Sequence, residues 1–313
     1  MSYRVLVSAP YFLPEIERFR DYFAKHDLEP VIAPVEERLE EDQLLSLVGD
    51  IDAVLCGDDR FTARVMDAAP RLKVIAKWGT GIDSIDSAAA ETRGIRVCRT
   101  PNAFTHPVAD TVMGYMLCFA RNLPFMDQAM KRGEWKKIPG RAMNESTIGV
   151  IGVGAIGVAV LERAAPFGAR LLGHDIREID AGIVSSTGVE MTGFEELLTA
   201  SDYVSINCDL TEKSFHLMND AAFSRMQDHA IVINAARGPV IDEKALVRAL
   251  KSGDIGGAAM DVFEDEPLPA TSPLRHMGNV LIAPHNSNSS ATAWERVHYS
   301  TLDQLVGVLR EQD

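Results

Sequence analysis

The sequence predicts an α/β protein built on two doubly wound parallel sheets. Short apolar runs rich in valine and isoleucine alternate with amphipathic stretches along the 313 residues. This alternation is typical of parallel strands joined by right-handed helical crossovers. It occurs in two series, over residues 4–99 and again after residue 148, and a chain of this length has room for two domains.

Each series contains several short apolar runs. The predicted strands are residues 5–7, 31–33, 53–56, 74–76 and 95–97 in the first series, and 148–151, 169–174, 203–206, 231–234, 258–260 and 280–282 in the second. Amphipathic periodicity predicts helices at residues 15–25, 62–69, 106–122, 243–251 and 291–309. Pro124 marks the exit of the long helix at 106–122, and the polar stretch 131–146 reads as a loop.

A glycine-rich turn opens the second series. The buried-strand run 148–151 is followed by Gly152, Gly154 and Gly157 in G-x-G-x-x-G spacing, directly before a helical pattern. The first glycine permits a sharp turn, the second lets backbone approach a pyrophosphate, and the third lets the helix pack on the strand. The helix start adds free N–H groups and a positive dipole end. The turn therefore indicates a dinucleotide site, with an ordinary structural glycine turn as the alternative.

An acid at the end of the next strand strengthens this interpretation. The run 169–174 ends in Asp175, which lies 175 − 157 = 18 residues beyond Gly157. A carboxylate there can hold both ribose hydroxyls and would repel a 2′-phosphate, so NAD is favoured over NADP. The nearby Arg177 weakens that preference a little.

The composition excludes several classes of partner. The net charge of −14 argues against nucleic acid or an anionic membrane. No window approaches the roughly 20 apolar residues of a membrane span, and residues 1–7 lead directly into a strand without the layout of a signal peptide. The four cysteines form no C-x-x-C pair, which favours reduced thiols in a cytoplasmic protein. The histidines show no metal-binding spacing, so no metal site is expected.

Three strand ends each deliver a side chain suited to chemistry. The residues, in chain order, are Arg237 after strand 231–234, Glu266 after strand 258–260, and His285 after strand 280–282. Taken singly, they could be a surface cation, a solvated acid and a satisfied core histidine. Because ligands of open parallel sheets bind outside the carboxyl ends of the strands, we expect the three side chains to meet at the edge that holds the dinucleotide.

Their charges suggest their roles. Hydride transfer between a nicotinamide and a carbon requires a proton to move to or from the oxygen on that carbon, and an imidazole such as His285 suits this task. The carboxylate of Glu266 would favour the imidazolium and orient the ring. The planar guanidinium of Arg237 can bind a substrate carboxylate and polarise a neighbouring carbonyl.

Motifs along nearly the whole chain resemble those of the D-isomer-specific 2-hydroxyacid dehydrogenase family, in particular its phosphoglycerate-dehydrogenase-like branch. Besides the glycine turn with Asp175, the similar motifs are K-W-G-T-G-I-D at 77–83, N-A-A-R-G at 234–238, D-V-F-E-D-E-P at 261–267 and P-H at 284–285. The resemblance implies a Rossmann NAD-binding domain, residues 100–289, inserted in a flavodoxin-like substrate domain made of residues 1–99 and 290–313. It also implies a homodimer paired through the long helix and the loop that follows it.

The resemblance further implies roles for individual residues. Three residues take the family's catalytic places: Arg237, Glu266 and His285. Beside the glycine turn and Asp175, the residues lining the cofactor groove would be Ala155, Ile156, Cys208 and Ala235, with Asp261 holding the nicotinamide carboxamide. Backbone N–H groups of one loop would bind the substrate carboxylate: Lys77, Trp78, Gly79 and Thr80.

The substrate stays open at this point. Phosphoglycerate dehydrogenases tend to carry a phosphate-binding arginine near the position of Cys56, and its absence disfavours phosphoglycerate, although Arg60 and Lys77 could substitute. Glyoxylate, hydroxypyruvate and lactate-type substrates are the alternatives. Formate dehydrogenases place glutamine where Glu266 stands and are disfavoured. The same motifs are also compatible with a protein that is not an enzyme. Corepressors that resemble this family keep the same three residues and act as dinucleotide-gated interaction modules without turnover.

Overall fold

A computed structural model describes residues 2–311 and divides the chain into two compact units. One unit is Met1–Phe104 together with Ser290–Asp313, and the other is Thr105–Ser289. The first unit thus also includes residues 100–104, which the sequence-based division had assigned to the cofactor domain. Each unit contains one parallel sheet.

The sheet of the first unit has five strands in the order β2-β1-β3-β4-β5, all parallel. The strands are β1 (Tyr3–Val7), β2 (Leu28–Ile32), β3 (Ala53–Cys56), β4 (Val74–Lys77) and β5 (Arg96–Cys98). The helices between them are α1 (Arg20–Lys25), α2 (Glu41–Leu45), α3 (Ala63–Asp67) and α4 (Ser87–Thr92). This is the flavodoxin-like strand order, as the sequence predicted.

The central strands of this sheet are buried because their side chains are apolar on both faces. Leu6, Val54 and Ile75 belong to one core cluster with side chains from the helices, such as Leu44 and Val65. Continuous burial of this kind is typical of parallel sheets covered on both faces. The covered sheet leaves only its strand ends open to ligands.

The sheet of the second unit has seven strands in the order β12-β11-β10-β9-β6-β7-β8, again all parallel. The strands are β6 (Thr147–Ile151), β7 (Arg170–His174), β8 (Glu190–Met191), β9 (Tyr203–Ile206), β10 (Ile231–Asn234), β11 (Gly257–Met260) and β12 (Val280–Ile282). The helices are α5 (Thr105–Ala120), α6 (Leu123–Lys131), α7 (Ala155–Ala164), α8 (Ala181–Thr187), α9 (Phe194–Ala200), α10 (Asp220–Phe223) and α11 (Glu243–Ser252).

The strand order of the second unit places a switch point between β6 and β9. From β6 the chain winds outward to β7 and β8, then returns to the other side of β6 and winds outward again from β9 to β12. Such a reversal opens a crevice at the carboxyl ends of the central strands, and this is where dinucleotides bind in Rossmann folds. The predicted Rossmann-type architecture is confirmed.

The last helix, α12 (Ala291–Glu311), returns to the first unit and packs beside β3, β4 and β5. At the end of β4, the indole N–H of Trp78 donates to Nδ1 of His298 on this helix over 2.9 Å. Burial lowers the pKa of His298, which favours the neutral ring that this hydrogen bond requires. Trp78, only 3% exposed, also contacts the rings of Tyr11 and Trp294. Its side chain is therefore part of the core.

Among residues 2–311, no helix is both long enough and apolar enough to cross a lipid bilayer.

Candidate functional site

The glycine turn after β6 has the tight geometry that its spacing predicts. Gly152 has a φ of 87°, and a Cβ atom there would lie 2.6 Å from the amide nitrogen of Cys208. A Cβ atom on Gly157 would lie 2.1 Å from the carbonyl oxygen of Gly152. Only glycine fits at either position, because any side chain would displace backbone. The close packing holds the start of α7 directly against the end of β6.

The start of α7 leaves donors for a ligand. Within the described part of the chain, the amides of Gly154, Ala155 and Ile156 donate to no acceptor. A cavity of about 420 Å³ lies beside this turn and is lined by residues that include Val153, Gly154 and Arg177. Unbonded N–H groups at a helix start attract phosphate oxygens. These residues fit the pyrophosphate and adenosine of a dinucleotide.

Asp175 lies at the end of β7, where the sequence placed it, and it also supports the turn. One carboxylate oxygen accepts from the amide of Val153 at 2.8 Å, and the other accepts from the amide of Arg177 at 2.9 Å. The guanidinium of Arg177 adds hydrogen bonds of 3.1 Å to both oxygens. Burial alone would raise the pKa of Asp175, but these hydrogen bonds outweigh it and lower the pKa. The acid is thus ionised and held beside the cavity.

Two further residues of the predicted cofactor groove flank the switch point. Cys208 follows β9, and its backbone packs against Gly152. Burial raises the pKa of its thiol to about 11, so the side chain is a neutral, largely apolar wall. Ala235 follows β10 and is 8% exposed. Small or neutral side chains at these two strand ends leave the crevice open.

Glu266 and His285 meet, as the sequence predicted. Nδ1 of His285 lies 3.1 Å from one carboxylate oxygen of Glu266, and the two side chains are 20% and 17% exposed. The other oxygen of Glu266 accepts from the amide of Phe263 at 2.8 Å, which fixes the carboxylate. Nδ1 of the imidazole therefore faces Glu266, and Nε2 is the second ring nitrogen.

Arg237 lies on the loop that packs against the loop of Glu266. A Cβ atom on Gly238 would lie 1.8 Å from the carbonyl oxygen of Phe263, so the two loops touch through backbone. The side-chain amide of Asn234 donates to the carbonyl oxygen of Arg237 over 2.9 Å and holds the turn. The Arg237 guanidinium donates to the carbonyl oxygen of Ala236 at 2.9 Å. The structure therefore brings the loops of all three predicted residues to one edge of the sheet.

Asp261 makes hydrogen bonds to the backbone around His285 that the sequence alone did not predict. Its side chain is fully buried, and its two carboxylate oxygens accept from the amides of Asn286 and Ser287 at 2.8 and 2.9 Å. Its carbonyl oxygen also accepts from the amide of His285 at 2.7 Å. His285 has a φ of 51°, an uncommon backbone conformation for a residue other than glycine. Asp261 thus holds the backbone that presents His285.

The predicted substrate loop lies in the first unit, at the end of β4. The Lys77 ammonium is buried and lies 3.0 Å from a carboxylate oxygen of Asp58. The amide of Trp78 donates to the carbonyl oxygen of Cys56, whereas in residues 2–311 the amides of Gly79 and Thr80 have no acceptor. Gly79 has a φ of 128°, which only glycine adopts readily. The loop thus presents two adjacent backbone donors.

Comparison with known proteins gives a consistent result. Residues 113–287 match the family model for the NAD-binding domain of D-isomer-specific 2-hydroxyacid dehydrogenases. A glyoxylate reductase of Thermofilum pendens is 41% identical over 277 residues, which cover 86% of this chain and 81% of that protein. A D-3-phosphoglycerate dehydrogenase of Methanocaldococcus jannaschii is 39% identical over 87% of this chain and 52% of that protein. The crystal structure of an Aquifex aeolicus D-lactate dehydrogenase with NAD and lactic acid matches with a TM-score of 0.89 and 25% identity, covering 98% and 96% of the two chains.

The fold and the nucleotide crevice define an NAD-dependent oxidoreductase. The match over more than half of the chain, together with the curated relatives, makes the family specific: the chain belongs to the D-isomer-specific 2-hydroxyacid dehydrogenases. Its cofactor is NAD, and its reaction interconverts a 2-hydroxy acid and a 2-oxo acid. The predicted family, cofactor and reaction class are confirmed.

Substitution of Asp261 should lower turnover through His285. In Asp261→Asn the amide group can accept from one of the two backbone amides but presents its own N–H₂ to the other. Since hydrogen bonds to a charged group contribute about 1.5–3 kcal/mol, we expect kcat at saturating NADH to fall by about 10–100-fold. Steady-state kinetics would measure this, with Asp265→Asn, an exposed acid of the same loop, as the near-wild-type control. An unchanged kcat with a raised KM for NADH would instead indicate that Asp261 acts on the cofactor alone.

Asp175 and Arg177 should together set the preference between NADH and NADPH. Asp175→Asn keeps an acceptor for the Val153 amide but removes the charge that repels a 2′-phosphate and pairs with Arg177. We expect the kcat/KM ratio of NADH to NADPH to fall about tenfold or more, as for the loss of one close charge interaction. In the double variant Asp175→Asn/Arg177→Gln, the kcat/KM for NADPH should fall back from the raised value of the single variant, because the guanidinium that would pair with the 2′-phosphate is gone. A ratio that does not change in the single variant would remove Asp175 from the ribose site.

Proposed function

We propose that the enzyme reduces a short 2-oxo acid to the D-2-hydroxy acid and that Arg237, Glu266 and His285 are its catalytic residues. The observation that supports this most strongly is the imidazole–carboxylate pair, 3.1 Å apart, on loops that follow neighbouring parallel strands. The pair lies at the same sheet edge as the turn that fits the dinucleotide. The arrangement is suited to moving one proton beside a nicotinamide.

In this proposal, bound NADH supplies the hydride to the carbonyl carbon. His285 donates a proton from Nε2 to the carbonyl oxygen during reduction and accepts it back during oxidation. Glu266 keeps Nδ1 protonated and the ring oriented, and it stabilises the imidazolium form that donates. Hydride addition and proton donation together convert the C=O group into a CH–OH group.

The substrate carboxylate requires separate binding groups. We propose that the unbonded amides of Gly79 and Thr80, close to the Lys77 ammonium, bind the carboxylate. The Arg237 guanidinium would polarise the carbonyl oxygen where negative charge develops. In this proposal the Trp78 side chain acts only indirectly, through the packing that shapes the loop.

His285→Ala should abolish the proton transfer while leaving the cofactor crevice intact. General acid–base catalysis contributes about 10²–10⁴-fold, so we expect kcat with glyoxylate or hydroxypyruvate to fall by this factor with little change in NADH affinity. NADH oxidation followed by absorbance would measure it, with His276→Ala, an exposed histidine of the same unit, as the matched control.

Two outcomes would contradict the proposal. A loss of only a few-fold in His285→Ala would remove His285 from the role of proton donor. A wild-type protein that binds NADH but turns over no 2-oxo acid would favour the dinucleotide-gated interaction module.

We also propose that the enzyme is a homodimer paired through residues 105–146. Large apolar side chains of this segment are exposed in the single chain: Leu123 is 50% exposed, Met130 50% and Trp135 90%. Exposed apolar residues of this size within one segment are typical of a protein–protein interface. The family resemblance implies pairing through the same segment.

Light scattering after size exclusion would test the dimer. We expect a mass near twice the 34.2 kDa of one chain, and Trp135→Glu should shift the population toward the monomer. Phe167→Glu, which changes an exposed apolar residue outside this segment, should leave the mass unchanged. A monomeric wild-type protein at micromolar concentration would contradict the proposal.

The cellular compartment is proposed as the cytoplasm. The four cysteines are all unpaired in the structure, which suits a reducing environment. Recovery of the native protein outside the cytoplasmic fraction of its cells would contradict this assignment.

A further inference from the structure

We propose that Asp58 is a specificity-determining residue that selects 2-oxo acids with a neutral, hydroxylated distal group and rejects those with a distal phosphate or carboxylate. The inference rests on the proposed function, in which the loop at residues 77–80 binds the substrate carboxylate. It adds the class of substrate, which the reaction class alone leaves open.

The position of Asp58 follows from strand register. β3 and β4 pair in parallel with Cys56 opposite Lys77, so the residues after β3 lie beside the end of β4. There, a carboxylate oxygen of Asp58 lies 3.0 Å from the Lys77 ammonium. The Lys77 side chain is 6% exposed and that of Asp58 is 33% exposed. The acid is therefore the solvent-facing member of the pair.

The ion pair lies directly at the proposed carboxylate loop. A Cβ atom on Gly79 would lie 3.9 Å from Nζ of Lys77, so the ammonium lies against the loop backbone. The unbonded amides of Gly79 and Thr80 belong to the same turn. A substrate carboxylate held by these amides would be close to both members of the pair, and the rest of the substrate would extend near Asp58.

The charged side chains described at this edge would disfavour a second negative charge on the substrate. A buried ammonium requires a counter-charge, and Asp58 already supplies it. Asp59 adds a second carboxylate, which accepts from the Ser8 hydroxyl and from the Leu39 amide. Burial raises the pKa of Asp59 to about 6, so it too is mostly ionised at pH 7.5. A distal phosphate, with a charge of about −2, would therefore meet like charge.

A distal hydroxyl group on the substrate would instead form a favourable contact with Asp58. An ionised carboxylate has about four acceptor sites, so Asp58 can accept from a substrate hydroxyl while it pairs with Lys77. Such charge-assisted hydrogen bonds are stronger than those between neutral groups. The sequence suggested Lys77 as a substitute phosphate ligand. Because its ammonium is already ion-paired with Asp58, it is a poor candidate for that role.

The test compares three substrates in one enzyme: glyoxylate, which has no distal group, hydroxypyruvate and phosphohydroxypyruvate. In Asp58→Asn, we expect kcat/KM for phosphohydroxypyruvate relative to glyoxylate to rise about tenfold or more, because a like charge is removed. The ratio of hydroxypyruvate to glyoxylate should fall about tenfold, because a charge-assisted hydrogen bond is weakened. The KM for NADH should not change.

Two variants control for structural effects. Asp58→Glu keeps the charge and should retain the rejection of the phosphorylated acid. Asp67→Asn removes the same charge from the last residue of α3, an exposed acid that pairs with Arg93, and should leave all three substrate ratios unchanged. Thermal melting of each variant would show that Asp58→Asn folds; if it does not, Asp58→Ser and Asp58→Glu carry the same comparison.

The outcomes separate this inference from the function on which it rests. Turnover of 2-oxo acids with substrate ratios that stay within twofold in Asp58→Asn would overturn the role of Asp58 only. A wild-type enzyme that prefers phosphohydroxypyruvate would also overturn the role of Asp58. Absence of turnover with every acid would overturn the proposed function itself.

Discussion

The buried carboxylate of Asp261 connects the two strand ends on which the proposed chemistry depends. It follows β11, and its oxygens accept from the amides of Asn286 and Ser287, which follow β12. The energetic constraint is strict, because a buried carboxylate without partners costs several kcal/mol of stability. The backbone at His285 must therefore keep the turn that supplies hydrogen-bond donors to Asp261. This turn also sets the orientation of the imidazole. Glu266, five residues beyond Asp261 in the same loop, is aimed by its own bond to the Phe263 amide.

Three glycines also fix loops at the strand ends, two of them in the cofactor turn and one between the loops of Arg237 and Glu266. Gly152, Gly157 and Gly238 each lie where a side chain would penetrate neighbouring backbone. At Gly152 and Gly238, loops from different strands touch without side chains between them, and at Gly157 the start of α7 packs against the turn that precedes it. Close backbone contact leaves little freedom for the loops, so the N–H groups at the start of α7 are fixed before a ligand arrives. This preorganisation reduces the ordering cost of binding.

The sequence predicted the parts of this structure whose signals are local. The glycine turn, Asp175 and the strand ends bearing Arg237, Glu266 and His285 all follow from spacing within short segments. The pairing of Asp58 with Lys77 was not predictable in this way, because it depends on the register between β3 and β4. The side-chain hydrogen bonds of Asp261 likewise join residues 25 and 26 positions apart.

Several elements differ from their predictions for identifiable reasons. The segment 15–25 begins as a 3₁₀ turn at Leu13–Phe19 and becomes α-helical only at Arg20. The long helix α5 ends before Pro124, as predicted, but Pro124 also stands in the first turn of a further helix, α6, where its missing N–H has no cost. The break before α6 comes from Asn122, whose φ of 53° no pattern of hydrophobicity encodes. The edge strand β8 has two exposed residues, and no apolar run marked it.

The two units place their charged groups according to one physical rule. In each unit, a residue at one strand end pairs with a residue at a neighbouring strand end: Lys77 with Asp58, and His285 with Glu266. Each pair is mostly buried, so its members interact strongly and resist screening by salt. A buried pair also fixes the sign of charge that a ligand meets. The pair in the second unit contains an imidazole, the side chain suited to proton transfer near neutral pH, whereas the pair in the first unit joins an ammonium to a carboxylate. We therefore propose that the pair in the second unit transfers the proton and that the pair in the first unit discriminates among substrate charges.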